Sequence, residues 1–213
     1  MTKKQRALDA VEALKKEYPG AVCSLHSESP LQLLIATRLS AQCTDARVNL
    51  VTPVLFGHFP TLDAFCAASE EDIAQDIRSC GLYKTKARDI RAMCLKLRDE
   101  FGGVVPDTME QLTSLPGVGR KTANLMLGDV FGKPAVVADT HCIRISNRLG
   151  LCTGKNPLKV ELELKELLSP SESNDFCHRL VLHGRAVCDA RRPQCAICRM
   201  NSFCLRVGVE EKK

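Results

Sequence analysis

Apolar side chains recur along this chain at intervals of three and four residues, the spacing that places them on one face of an α-helix. Leu8, Val11 and Leu14 follow this spacing near the start, before residues 18–20 end the segment. No alternating strand pattern is sustained, and the best candidate is the short run 134–138. The pattern therefore predicts an all-α fold.

Signals for helix starts agree with that prediction. Ser69 followed by Asp72 forms a capping-box pattern, and Asn156 followed by Pro157 supplies an N-cap and a first-turn proline. No repeat and no low-complexity linker interrupts the chain. We therefore expect one large domain, or two domains packed against each other.

The composition excludes several classes of protein. The chain has 213 residues, of which 45% are hydrophobic and 26% charged, which is typical of a globular protein. Its apolar runs are only a few residues long, whereas a membrane-spanning helix needs about 20. The start lacks the apolar core of a secretory signal. These features predict an intracellular, cytoplasmic protein without a membrane partner.

The charge distribution favours a polyanionic partner. The net charge is only +5, but residues 178–206 contain six arginines, one acidic residue and no lysine. The whole chain has two Tyr, seven Phe and no Trp. That small supply of rings disfavours a stacking platform for single-stranded nucleic acid.

A tight turn between two predicted helices is the most informative local feature. Residues 115–124 contain a Pro-Gly-x-Gly turn, in which Gly117, Val118, Gly119 and Arg120 lead into the second helix. Glycines allow positive φ and a close approach of backbone N–H groups to a phosphate. The turn therefore predicts contact with a DNA backbone, although a plain connection between helices is the alternative.

Two charged residues follow that turn and are candidates for catalysis. Lys121 lies in the first turn of the second helix, facing away from the apolar stripe that begins at Ala123. The helix dipole disfavours a positive charge there, which helps an amine act as a nucleophile. Asp139 begins a later helix, where it can act as an N-cap and can also assist Lys121. A solvated lysine and a simple capping aspartate are the alternatives.

Cysteine spacing separates one cluster from the rest. An intracellular chain with twelve cysteines is not expected to contain disulfides, and eight of them occur singly, as small buried residues do. The remaining four lie within 17 residues and predict a metal site: Cys188, Cys195, Cys198 and Cys204. This spacing leaves zinc and an iron–sulfur cluster open. Arg191 and Arg192 lie between the first two ligands, where they could contact phosphates.

Together these stretches resemble the endonuclease III family, the iron–sulfur branch of the helix–hairpin–helix DNA glycosylase superfamily. The matching stretches cover most of the chain in the right order: 39–45, 81–87, 115–124, 137–141, 182–185 and the four cysteines. Each stretch is unspecific by itself, but the combination is highly specific.

The resemblance implies a two-lobed fold. A six-helix barrel with the helix–hairpin–helix would span residues 23–134, and a cluster lobe would combine residues 1–22 with 135–213. A DNA-binding cleft would lie between the lobes, with Lys121 and Asp139 facing each other across it. The four cysteines would hold a mainly structural [4Fe-4S] cluster, and the protein would act as a monomer.

The resemblance also implies an activity. Lys121 would be the catalytic amine and Asp139 its carboxylate partner, while Gln42 and Leu82 match the family residues that enter the duplex. The implied substrate is double-stranded DNA containing oxidised pyrimidines or abasic sites. Base excision through a lysine Schiff base, followed by β-elimination, would nick the strand.

Two other interpretations of the sequence remain open. A non-catalytic DNA-binding module would use Lys121 only as a phosphate contact, and a small scaffold protein would hold zinc in the cysteine cluster. Cys43 and Cys142 also lie near the expected cleft, and the sequence leaves open whether they are inert or sensitive to oxidants.

Overall fold

A computed structural model describes residues 1–210 of the chain. This part of the chain contains eleven α-helices and no strand, which confirms the all-α prediction. None of these helices is both long enough and apolar enough to cross a membrane. The helices are α1 (Lys3–Glu17), α2 (Pro30–Leu39), α3 (Asp45–His58), α4 (Leu62–Ala67), α5 (Glu70–Asp76), α6 (Tyr83–Phe101), α7 (Met109–Ser114), α8 (Arg120–Asp129), α9 (Thr140–Arg148), α10 (Pro157–Leu167) and α11 (Ser173–Ala186); 3-10 turns occupy Arg78–Cys80 and Cys195–Ile197.

Side-chain caps start the helices where the sequence predicts them. Ser69 and Asp72 form a reciprocal capping box at α5, each side chain accepting the other residue's backbone N–H at 3.1 Å. Asn156 caps α10 by accepting the Lys159 N–H at 3.1 Å, and Pro157 occupies the first helical position. These bonds satisfy N–H groups that have no partner within the helix.

The chain divides into two compact units, one formed by residues 23–131 and the other by residues 1–22 with 132–213. The functional lobes inferred from the resemblance, 23–134 and 1–22 with 135–213, and the cleft between them stay predictions.

The unit of residues 23–131 is built around α6. This helix buries an apolar stripe that includes Ile90, Met93 and Leu97, and it packs against α4 and α5. Helix α2 contacts α3, α6 and α8, while α7 and α8 pack together as the predicted hairpin. The hairpin is therefore held by contacts with α2 as well as by its own turn.

In the other unit, α1 packs against α11 and α10, and α9 lies against α11. The α9–α11 contact depends on Gly184, since a Cβ there would collide with the His141 ring and lie 2.8 Å from Arg144 Nη2. Gly184, which belongs to the matching stretch 182–185, thus lets α9 pack close to α11. Helix α9 is the helix that Asp139 caps. An added methyl group at this position would separate the two helices.

Candidate functional site

The hairpin turn presents glycine backbone and the Arg120 side chain to solvent. Gly117 has φ +75°, and the Val118 N–H donates to the Leu115 carbonyl at 3.1 Å, closing the turn. The Val118 side chain is buried, whereas Gly117, Gly119 and Arg120 are exposed. Because the Val118 N–H is engaged inside the turn, a phosphate bound here would need its donors from Gly117, Gly119 or Arg120.

The turn rests on an ion pair between α2 and α6. Arg38 donates through Nε and Nη2 to Asp89 Oδ2, at 3.1 and 2.7 Å, and both side chains are largely buried. A Cβ at Gly117 would lie 2.6 Å from Arg38 Nε and 3.0 Å from Asp89 Cβ. Gly117 is therefore required twice, for its left-handed backbone and for the space that Arg38 occupies.

Gly117→Ala is expected to lower the free energy of unfolding by about 1–3 kcal/mol, because it combines a left-handed alanine with overpacking against Arg38. Gly119→Ala is the matched control, since Gly119 has φ −96° and nothing within 4 Å of an added Cβ. Denaturant unfolding of both variants measures the difference. An equal loss of stability in the two variants would contradict this account of the turn.

Lys121 lies in the first turn of α8 and its side chain is exposed, while Ala123 and Asn124 of the same helix are buried. The N-cap of α8 is Gly119, which has no side chain to cap the helix, and its first turn contains no acidic residue. The positive end of the helix dipole is thus left open to an anion. An exposed amine stands beside a surface suited to phosphate.

Asp139 is the N-cap of α9. Its Oδ1 accepts the Cys142 N–H at 2.7 Å, and its own N–H donates to the Val137 carbonyl at 2.8 Å. The half-buried carboxylate follows the buried segment 135–138. The capping interpretation is confirmed, but capping engages Oδ1 and is compatible with a second task for Oδ2. Lys121 belongs to the unit of residues 23–131 and Asp139 to the other.

Gln42 and Leu82 share an unusual backbone conformation. Their φ angles are +54° and +47°, and within residues 1–210 only Arg206 is another non-glycine residue with positive φ. Both side chains are exposed, Leu82 by 57%. Left-handed backbone at such residues costs on the order of 1–3 kcal/mol and is concentrated at functional sites. The strain therefore falls on the two residues that the family resemblance predicts to enter the duplex.

The four clustered cysteines line one cavity. All four line it together with apolar side chains such as Ile145, Leu149 and Met200. None is disulfide-bonded, and no three His, Cys, Asp or Glu side chains in residues 1–210 have the arrangement of a metal-ion site. The fit to a metal centre rests on the shared cavity and on four soft sulfur donors.

A guanidinium and an imidazole lie next to two of these sulfurs. Arg148 Nη1 donates to Cys188 Sγ at 3.2 Å, and His183 Nε2 lies 3.5 Å from Cys198 Sγ. Such groups stabilise the negative charge of coordinating thiolates. The donor set and its surroundings therefore suit a thiolate-bound metal centre.

The loop that carries Arg191 and Arg192 is fixed by the protein itself. Arg148 donates to the carbonyls of Asp189 and Ala190, at 2.7 and 2.8 Å. Asp189 Oδ1 accepts the N–H groups of Arg191 and Arg192, at 2.8 and 2.9 Å, and these bonds, that of Arg192 first, lower the pKa of the Asp189 carboxyl. Both arginine side chains are exposed, so the loop presents two cations on an ordered backbone.

Comparison with known proteins places the chain among DNA repair enzymes. Residues 35–170 match the model of the HhH-GPD superfamily of base excision DNA repair proteins. Endonuclease III of Synechocystis sp. is 47% identical over 204 residues, covering 95% of this chain and 93% of the relative, and that of Bacillus subtilis is 41% identical over 197 residues, covering 92% and 90%. A solved covalent intermediate of an endonuclease III with DNA has a TM-score of 0.91 and 43% identity, covering 96% of each chain.

The chain belongs to the endonuclease III family. As a member of this family it is a base excision repair enzyme, a DNA glycosylase and abasic-site lyase. Membership confirms the predicted family, fold class and enzyme class, and supports the enzyme over the non-catalytic and zinc-scaffold interpretations.

In this endonuclease III family member, Lys86 lies within the matching stretch 81–87, but the sequence pattern predicts no separate role for it. It is fully buried, and its Nζ donates to the carbonyls of Leu39 at 2.8 Å and Cys80 at 2.6 Å. Burial lowers the pKa of the ammonium. One signal was available, because Lys86 falls on the apolar stripe of α6, four residues before the buried Ile90.

The two thiols noted near the expected cleft differ in environment. Cys142 is fully buried, and a hydrogen bond with Cys177 together with burial holds its pKa well above the usual range. Cys43 is half-exposed and its thiol contacts that of Cys80, whose pKa burial raises to about 11. Cys142 is thus shielded, and Cys43 is open to reagents.

Alkylation of the folded holoenzyme is expected to modify Cys43 at least about tenfold faster than Cys142, because only accessible thiolates react. Peptide mass spectrometry over a time course measures both rates in one sample, and a denatured sample supplies the unprotected rate for each thiol. Modification of Cys142 in the folded enzyme at the rate of Cys43 would show that the first residues of α9 open readily.

Proposed function

We propose that this chain excises oxidised and ring-saturated pyrimidines from double-stranded DNA and cuts the strand at the resulting abasic site, with Lys121 as the nucleophile. The observation that carries the proposal is the exposed amine of Lys121 at the open, positive end of α8, beside the Gly117 turn. Support also comes from the 43% identical endonuclease III trapped as a covalent intermediate with DNA.

The DNA backbone is held without reading its sequence. The N-terminal end of α8 with Gly119 contacts phosphates on one strand, and the exposed Arg191 and Arg192 add two further charges. A repair enzyme has to act in any sequence context, so backbone contacts suit the task. Binding is expected to weaken as salt rises, because phosphate contacts release counterions.

Gln42 and Leu82 help to extrude the damaged nucleotide. The sugar of a stacked nucleotide is inaccessible, so the nucleotide has to leave the duplex, at a cost of a few kcal/mol that is lower for a damaged base. Gln42 fills the vacated space with its amide, and Leu82 wedges between neighbouring bases. Exposed side chains on strained backbone suit this role, since they are already held out from the fold.

The chemistry follows from an amine and a carboxylate. The neutral amine of Lys121 attacks C1′ as the base departs, and Asp139 stabilises the positive charge developing on the sugar and accepts the amine proton. Ring opening gives an imine between Lys121 and C1′. Loss of a C2′ proton then expels the 3′ phosphate by β-elimination, and water releases the lysine.

We further propose that Cys188, Cys195, Cys198 and Cys204 hold a [4Fe-4S] cluster. A bound cluster would supply cross-links between Cys188, which precedes the Arg191 loop, and the segment 195–204. We also propose that the protein acts in the reducing interior of the cell, where a chain with twelve cysteines is expected to keep its thiols reduced. Iron and sulfide analysis of the anaerobically purified protein tests the cluster; zinc with no iron would overturn it.

The activity is tested with a duplex containing one oxidised thymine and a matched undamaged duplex. The expected result is release of the damaged base, a strand ending in the β-elimination product, and a covalent adduct when borohydride is present. Base release without any adduct would exclude the amine mechanism. Salt-sensitive binding with neither reaction would leave only a DNA-binding protein.

A further inference from the structure

Lys86 lies between the two loops that carry Gln42 and Leu82. It is in the first turn of α6, four residues after Leu82, and is fully buried. Its two acceptors, the carbonyls of Leu39 and Cys80, belong to the last residue of α2 and the last residue of the 3-10 turn Arg78–Cys80. One nitrogen thus joins two chain segments just before each enters left-handed backbone at Gln42 and Leu82.

The bonds occur where the backbone needs partners. The Leu39 carbonyl is at the C-terminal end of α2, where carbonyls lack partners within the helix and the dipole attracts a cation. The Cys80 carbonyl precedes Gly81, with φ +62°, and Leu82. Strained conformations persist only where the surroundings over-determine them, and Lys86 supplies such a constraint to both loops.

A buried lysine is costly unless it is well bonded. The thiols of Cys43 and Cys80 and the guanidinium of Arg38 also lie near the Lys86 ammonium. Methionine would fill the same volume without the desolvation cost of the charge. The lysine therefore costs desolvation free energy that an apolar side chain of the same size would avoid.

We propose that Lys86 is a positioning residue for nucleotide extrusion: by bonding Leu39 and Cys80 it sets the separation of the Gln42 and Leu82 loops, so that both side chains enter the duplex together. The proposal rests on the proposed roles of Gln42 and Leu82. It assigns Lys86 no contact with DNA and no part in the steps at C1′.

The first test is Lys86→Met, which keeps the length of the side chain and removes its N–H donors. Base release from a paired oxidised thymine in duplex DNA is expected to fall about 10- to 100-fold. Borohydride trapping on a single-stranded abasic oligonucleotide, which needs no extrusion, is expected to stay within about twofold. Lys84→Met is the matched control, an exposed lysine in the same turn of α6, for which both rates stay near wild type.

A double-mutant cycle with Leu82→Ala shows whether Lys86 acts through the loop. If it does, the double variant loses less base release than the product of the two single losses. Lys86→Gln, a neutral donor, is expected to recover part of the activity, and it replaces the methionine variant if that variant fails to fold. The proposal would be overturned if the loss of base release in the double variant equals the product of the two single losses. It would also be overturned if Lys86→Met lowers duplex base release and single-strand trapping equally, or if both Lys86 variants keep wild-type activity on duplex DNA.

Extrusion is also measured without chemistry, by the fluorescence of 2-aminopurine beside a non-cleavable abasic analogue in duplex DNA. The wild type is expected to increase the signal, and Lys86→Met to increase it much less at saturating protein. If wild-type protein neither releases base nor forms an adduct, the proposed function fails. The fluorescence comparison still decides the role of Lys86 in that case, and equal signals from both proteins would refute it.

Discussion

Lys121→Met is expected to abolish the borohydride adduct with abasic DNA and to lower base release at least about 1,000-fold, because it removes the amine that we propose as the nucleophile at C1′. The side chain is exposed, so the substitution leaves the packing of α8 unchanged. Duplex affinity is expected to fall only slightly, by the loss of one charge among several phosphate contacts. Single-turnover kinetics, gel analysis of adducts and a binding titration measure these three quantities.

The control for this experiment is Lys155→Met, which removes an exposed lysine from the loop before α10. It is expected to retain wild-type adduct formation. If Lys121→Met forms as much adduct as the control, another amine is the nucleophile. If it loses duplex affinity in proportion to activity, Lys121 is a phosphate contact, as the non-catalytic interpretation holds.

Asp139→Asn is expected to lower base release about 100-fold while leaving stability within about 0.5 kcal/mol of wild type. Asparagine is as good an N-cap as aspartate, so the oxygen that accepts the Cys142 N–H at 2.7 Å is retained. Only the negative charge is lost, and with it the stabilisation of positive charge on the sugar. The variant thus separates the structural task of Asp139 from its chemical task.

Asp139→Ala is the comparison, because it removes both the cap and the charge. It is expected to lose activity as the asparagine variant does and, in addition, about 1 kcal/mol of stability. Thermal unfolding and single-turnover rates measure the two effects. Full activity in Asp139→Asn would show that Asp139 serves only as the cap of α9.

Several features of the site follow from short-range sequence patterns. The caps at Ser69, Asn156 and Asp139, and the outward direction of Lys121, depend on residues three or four positions apart. Helical geometry relates such neighbours directly, so the pattern is sufficient to place them. The hairpin is also predictable from neighbouring residues, because a glycine turn between two amphipathic segments is a local feature.

Other features depend on residues that are far apart in the chain. Lys86 bonds a carbonyl 47 positions away, and Arg38 pairs with an aspartate 51 positions away. No local pattern reveals such partners, although a lysine on an apolar stripe indicates that its ammonium is buried and has hydrogen-bond acceptors nearby. The need for Gly117 to leave room for Arg38 likewise becomes visible only when α2 and α6 are packed.

Neighbouring residues along the chain are enough to predict the all-α class, the positions of the helix caps and the grouping of four thiols, since these features are local. The folded chain was needed to reveal that Gln42 and Leu82 adopt left-handed backbone, that Lys86 bonds to both of their loops, and that Arg148 orders the loop of Arg191. The physical reason is that buried charges and strained backbone are stable only with partners that packing brings from distant parts of the chain.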